Sequence, residues 1–415
     1  MPATIPEDLR SALRIPALRA YILSRTAGST SATLIQAAVA WQVYEISGSA
    51  FQLGLIGLVR FVPALAMSLI GGAVADSYNR RNIILLAHIV PLAVTGVMVA
   101  AIAGDRVTLS LLYSVVLVTG LASAFEQPAR QAILPSIVPP NLFERAVTIN
   151  STMQALAMAT GPAVAGATIA LSGVGAAYMA HGALVVVSMA GMMRVPAIPS
   201  GTRSGVRWSA IREGLHFVWS RPVLLSAMTL DMFAVIFGGA RALLPIYATD
   251  ILGTGAFGYG MLYAASEVGA LLMSVVLVLS PPIQRIGRAL LYSVAAYGIA
   301  TIAFGLSRSF VFSLVAFTIA GMADQVSVIM RATTIQLLTP DALRGRVSAV
   351  NSVFISASNQ LGAVESGFVA ALTNATFAVV SGGIGCVAVV AFVAARVPAL
   401  RNYRIGPQFS DNRLT

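Results

Sequence analysis

Long apolar stretches recur along the chain, each broken by a short segment rich in arginine, proline and glycine. Many reach the roughly 20 residues that an α-helix needs to cross about 30 Å of hydrocarbon. The pattern predicts spans near 18–44, 50–75, 83–103, 107–127, 146–171 and 174–194. A second set follows near 223–249, 257–280, 289–307, 309–330, 347–372 and 375–396. Barrel strands alternate apolar and polar positions and never give such runs, which excludes an outer-membrane barrel. The expected fold is an all-α polytopic membrane protein with twelve transmembrane helices.

The second set repeats part of the first. Residues 331–367 align without a gap on residues 130–166 when 201 is subtracted. Arg331 falls on Arg130, Pro340 on Pro139, Leu343 on Leu142 and Arg346 on Arg145. Asn351 and Ser352 fall on Asn150 and Ser151, and Gly362 and Gly367 on Gly161 and Gly166. A repeat of about half a membrane chain points to two halves related by an axis along the membrane normal. The expected division is an N-terminal six-helix half over 1–194, a linker over 195–222, a C-terminal six-helix half over 223–396 and a tail over 397–415. Within the linker, Trp208, Ile211, Leu215 and Val218 recur at helical spacing beside Arg207, Arg212 and Glu213. That spacing predicts an amphipathic helix lying at the inner surface, with a plain tether as the alternative.

Composition agrees: 57% of residues are hydrophobic and only 10% charged, which no soluble globular chain shows. The net charge is +11 and all 26 basic residues are arginine. With the N-terminus inside, 21 arginines fall in inner segments and only Arg106 and Arg308 in outer loops. This bias orients both termini towards the cytoplasm, and it reads as membrane topology rather than nucleic-acid binding. Cys386 stands alone in an apolar run, so neither a disulfide framework nor a metal cluster is expected. The first residues carry acids and prolines without a cleavage pattern and are expected to be a retained cytoplasmic segment.

Several motifs resemble the major facilitator superfamily. GGAVADSYNRR, Gly71 to Arg81, is similar to that family's G-x-x-x-D-R-x-G-R-R loop after the second span. Gly72, Asp76, Arg80 and Arg81 stand in the matching places, and the resemblance implies an inner-loop gating motif. Ser77 and Asn79 replace a basic residue and a glycine there; Asn79 is expected to keep a left-handed turn. In QRIGR, Gln284 to Arg288, Gln284 stands where the acid would be, so an Asp-dependent latch belongs to the first half. FEQPARQAILPSIVP (Phe125 to Pro139) and TPDALRGRVSAVNSVF (Thr339 to Phe354) look like the enterobactin-exporter and macrolide-efflux branch. ATGPAVAGA resembles the antiporter signature of exporters, with Gly161, Pro162 and Gly166 matching. Small residues there let helices approach closely, and Pro162 permits a kink. The arginine often found in the family's fourth span has no match.

Ionisable groups at membrane depth are costly and usually face a cavity or a partner. The candidates are Arg25, Arg60, Asp231, Arg241, Glu267 and Glu365, with Glu126 and Asp324 nearer the inner face. Glu267 lies about eleven residues into its span, roughly 16 Å deep, and is the first choice for a protonatable coupling acid. Asp231 is the second, and Glu365 a third. Asp231 and Arg241 are about 15 Å apart along one helix, so each needs a partner elsewhere. Glu126 and Arg130 are spaced to pair, although Pro128 lies between them. Arg130 and Arg331 occupy matching places at the basic inner loops and are expected at an inter-half or inner gate. Structural ion pairs are the competing account for any of these.

The leading functional reading is a secondary exporter of amphipathic small molecules, siderophore or drug-like, working by alternating access as a monomer in the inner membrane. H⁺ as coupling ion is implied by the resemblance. An importer or a membrane sensor is the alternative. No phosphate-binding motif occurs, and His88, His181 and His216 are scattered, so neither an enzyme nor any cofactor is expected.

Overall fold

A computed structural model describes residues 14–197, 208–340 and 343–404, the side chains of 64–66, 68–73, 75–76 and 208–211 excepted. It is helical, with no strand among the described residues. The helices are α1 (Pro16–Ser47), α2 (Ala50–Ser77), α3 (Arg80–Ala103), α4 (Leu109–Ile137), α5 (Phe143–Ser172) and α6 (Val174–Met193). Then come α7 (Trp208–Trp219), α8 (Pro222–Phe237), α9 (Gly255–Leu279), α10 (Ile286–Leu306) and α11 (Phe310–Leu338). The last are α12 (Arg344–Leu372), α13 (Ala375–Arg396) and the short α14 (Pro398–Arg401).

Among the described residues, nine helical segments are long and apolar enough to cross a membrane. α1 and α12 are as long but more polar; α12 carries Arg344, Arg346, Asn351, Asn359, Gln360 and Glu365. Chain ends of helices are set by local chemistry. Proline opens α1 and α8, where its missing N–H costs nothing. Thr108 and Asn374 accept from Leu111 N (3.3 Å) and Phe377 N (2.8 Å) and cap α4 and α13. Gly48, at φ 58°, closes α1 in a left-handed turn that only glycine adopts without strain.

Two expectations need correcting. Asn79 is not left-handed: at φ −61°, ψ 114° it caps α3 by accepting from Arg81 N at 3.1 Å. Arg130 and Arg331 lie not on loops but on α4 and α11, which run on to Ile137 and Leu338. A charged residue lowers local apolarity and so looks like the end of a span, whereas a paired charge does not end a helix. Pro128 and Pro135 are both accommodated within α4.

The chain forms two compact units. The first holds α1, α2 from Val59, α3 to α6 and the Gly255–Ala264 start of α9. The second holds α2 up to Leu58, α7, α8, the rest of α9 and α10 to α14. Leu18, Tyr21, Ile84, Ile133, Met192 and Val195 pack the core of the first. Ala227, Leu230, Ile286, Leu290, Met330 and Cys386 pack that of the second. Many large apolar side chains are exposed, such as Leu171, Val278 and Tyr292, as a lipid-facing surface requires.

α7 packs within the second unit. Val218 joins Leu224, Met228, Ile335, Val347 and Val350 in a cluster, and Glu213 pairs with Arg346 at 2.6 Å. Ile211 of the expected apolar stripe, with Trp208, lies outside the described side chains, as does Arg207 outside the described residues.

Candidate functional site

Each unit contains buried charges, satisfied in different ways. In the second unit Arg331 on α11 pairs with Asp231 on α8, and both are buried. Higher on the same helices, α8 breaks at Gly238–Gly239, where added side-chain carbons would strike Tyr297 and Gly362. The freed carbonyl of Gly238 accepts from Tyr297 Oη at 2.8 Å. A 3₁₀ turn over Ala240–Leu243 follows the break and carries Arg241. Arg241 Nη2 meets Glu267 Oε1 of α9 at 2.8 Å and donates to Ser266 Oγ at 2.9 Å. The ten-residue gap that kept Asp231 and Arg241 apart is thus resolved by a separate helix for each. Asp324, on α11, lies within electrostatic reach of both Arg241 and Glu267. Glu365 on α12 accepts from Ser366 Oγ at 3.3 Å and is half-buried.

In the first unit Arg130 is 2% exposed, and every part of its guanidinium has a partner. Nε donates to Glu126, one turn earlier on α4. Nη1 donates to Ser24 Oγ at 3.3 Å, and Nη2 reaches Ser188 Oγ at 3.3 Å and His88 Nε2 at 3.1 Å. His88 Nδ1 sits 2.8 Å from the Ile84 carbonyl. A carbonyl only accepts, so Nδ1 holds the ring proton and Nε2 accepts from Arg130. Gly28 leaves room for this arrangement: a side chain there would come within 2.9 Å of Arg130 Nη2 and Ser188 Oγ. Arg25 is held only loosely, donating to Gln127 Oε1 at 3.4 Å. Arg60 donates to Gln36 Oε1 at 3.2 Å.

The repeat therefore breaks where it matters chemically. Position 126 plus 201 is Ser327, buried and without a hydrogen-bond partner for its hydroxyl. The acid that serves the second arginine comes from another helix instead. Among the charges expected at membrane depth, three arginines of the first unit (Arg25, Arg60, Arg130) stand against one carboxylate, Glu126. In the second, Asp231, Glu267, Asp324 and Glu365 stand against Arg241 and Arg331. Charge left over in a low-dielectric region calls for a mobile counter-ion or a proton.

Other sequence candidates lie apart from these clusters. Gly72 and Asp76 are in α2, with the Asp76 side chain outside the described set. Arg80 Nη1 donates to the Ala132 carbonyl at 2.9 Å and to Ser136 Oγ at 3.3 Å, placing a cation at the C-terminal end of α4. Arg81 is half-buried beside it. Gly161 packs on α1, where a side chain would meet the Thr30 carbonyl at 2.7 Å. Gly166 packs on the start of α9, where it would meet the Ala256 carbonyl at 2.6 Å. Pro162 is buried between them. Sequence reasoning missed His88, Ser188, Gln36 and Ser266. Isolated polar residues in apolar runs were the available signal, and they carry no partner information.

The family model of the transmembrane secretion effectors, a branch of the major facilitator superfamily, matches residues 10–410. The chain belongs to that family. It is 24% identical over 394 residues to the enterobactin exporter EntS of Escherichia coli (strain K12), covering 94% of both chains. The enterobactin exporter of Shigella dysenteriae serotype 1 matches equally, at 24% identity and 94% coverage. Among solved structures, the D-xylose-proton symporter matches with a TM-score of 0.72 at 13% identity, covering 94% of this chain and 100% of that one. A bacterial homologue of the human lysosomal transporter Spinster matches with a TM-score of 0.71 at 17% identity, over 96% and 99% of the two chains. The chain is a multi-pass inner-membrane transporter of small molecules, not an enzyme.

Proposed function

We propose that the protein is a proton-coupled exporter of amphipathic small molecules, siderophore or drug-like, working by alternating access. Twelve membrane helices form two six-helix halves, 1–194 and 223–396, joined by 195–222 and with both termini cytoplasmic. The export direction is supported by the likeness to the enterobactin exporters and by Gly161, Pro162 and Gly166 in α5. The fold is shared with a symporter and does not set direction. One copy of the chain is the working unit.

The observation that carries the coupling is the acid surplus around Arg241. One guanidinium serves Glu267 directly while Asp324 lies nearby. A proton on either acid relieves the surplus, and its departure lets Arg241 re-engage. Asp231, held by the buried Arg331, serves as a fixed structural pair in this scheme. Glu365 stands apart as a second exchangeable acid.

Reconstitution into liposomes with an imposed pH gradient tests the scheme. Movement of labelled siderophores or amphipathic dyes should follow the gradient in the wild type and stop following it in Glu267→Gln. Transport indifferent to the gradient, or an undiminished gradient response in Glu267→Gln, overturns it.

A further inference from the structure

The first unit has a surplus of positive charge, and Arg25 faces open space. A cleft of about 200 Å³ lies between α1, α4 and α5, lined by Tyr21, Arg25, Leu134, Phe143, Val147 and Asn150. Two of its polar walls are incompletely satisfied among the described residues. Arg25 Nε and Asn150 Oδ1 are both buried without a hydrogen-bond partner. Arg25 has only the long contact to Gln127, because the nearest acid, Glu126, is committed to Arg130. Asn150 can turn either its oxygen or its NH₂ to the cleft. Leu134, Phe143 and Val147 form the apolar side.

We infer that this cleft is an anion subsite, taking a carboxylate or comparable anionic group of an amphipathic molecule on Arg25 and Asn150, with its apolar body on Phe143 and Val147. The inference deepens the transport reading and rests on it for the word substrate, but the binding chemistry stands separately. A guanidinium held by one long hydrogen bond gains most from a partner that brings opposite charge, and Arg suits planar carboxylates through its paired N–H groups. The apolar wall adds affinity through burial of the ligand's hydrocarbon. The same chemistry would accept the phosphate of an anionic lipid reaching in from the bilayer.

The test is binding of radiolabelled 2-naphthoate to the full chain in phosphatidylcholine nanodiscs, with neutral 2-naphthamide as competitor. The wild type should bind naphthoate saturably, with naphthamide at least ten-fold weaker. Arg25→Gln should bring naphthoate down to the naphthamide level, and Arg25→Lys should restore part of the difference. Val147→Trp fills the apolar side without removing charge and should weaken both probes, which keeps the test valid if Arg25→Gln fails to fold. Adding phosphatidylglycerol identifies the source. Displacement of naphthoate means that lipid phosphate uses the subsite, and unchanged binding means a soluble anion does. Absence of saturable naphthoate binding, equal affinity for acid and amide, or full naphthoate binding by folded Arg25→Gln overturns the inference. Binding is read without a gradient. A protein that binds through Arg25 yet transports nothing refutes the transport reading alone, and gradient-driven transport without anion preference refutes the subsite alone.

Discussion

Arg331 and Asp231 are both buried, and neither has water to fall back on if the other is removed. Arg331→Leu should therefore destabilise the protein by about 3–5 kcal/mol, the usual cost of a buried charge left alone. Replacing both, as Arg331→Leu with Asp231→Leu, should recover most of that loss, since matched apolar residues leave no orphan. Unfolding in detergent followed by circular dichroism reads the difference; a double variant as unstable as the single one would contradict the assignment. At this scale the sequence was partly readable. Glu126 and Arg130 could be paired from their spacing on one helix, and the structure pairs them. The distance between Asp231 and Arg241 ruled out a pair between those two. Their actual partners, Arg331 and Glu267, come from other helices, and nothing in the order of residues along the chain ranks one helix contact over another.

Among the elements, α9 and α11 cross where side chains are smallest. A carbon added at Gly321 would run into the backbone carbonyl of Ser266, and one at Gly269 into that of Thr318. These contacts are with main chain, which cannot rotate aside, so even alanine must push the helices apart. Ser266 and Glu267 are neighbours on α9, and Ser266 holds Arg241. Gly321→Ala should thus lower the unfolding midpoint and also weaken gradient coupling, measured in the same liposomes. Gly345→Ala, with open space around it, should change neither. An unchanged midpoint in Gly321→Ala would show that the helices are not packed as described. Apolar length located these helices within a few residues at most ends. It failed at the C-terminal ends of α4 and α11, where Arg130 and Arg331 make a helix look like a loop. It also gave no sign of the break at Gly238–Gly239, because two glycines in an apolar run fit a continuous span equally well.

For the whole molecule, residues 331–367 repeat residues 130–166, and the two copies differ most in their charged partners. Ser327 in place of Glu126 moves one acid to another helix. Asp324 falls on Ser123 in the register that sets α11 on α4, and the acid surplus lies in the second unit. In the proposed scheme, protonation of this cluster changes which conformation the transporter adopts. Pulsed electron-electron distance measurement tests it without a known substrate, using spin labels at Tyr78→Cys and Gln284→Cys. Both sites are exposed, and the buried Cys386 is replaced by serine. Two distance populations are expected, their ratio shifting between mildly acid and mildly alkaline buffer, with Glu267→Gln held near the acid ratio throughout. A single distribution that ignores pH, or an undiminished shift in Glu267→Gln, would contradict it.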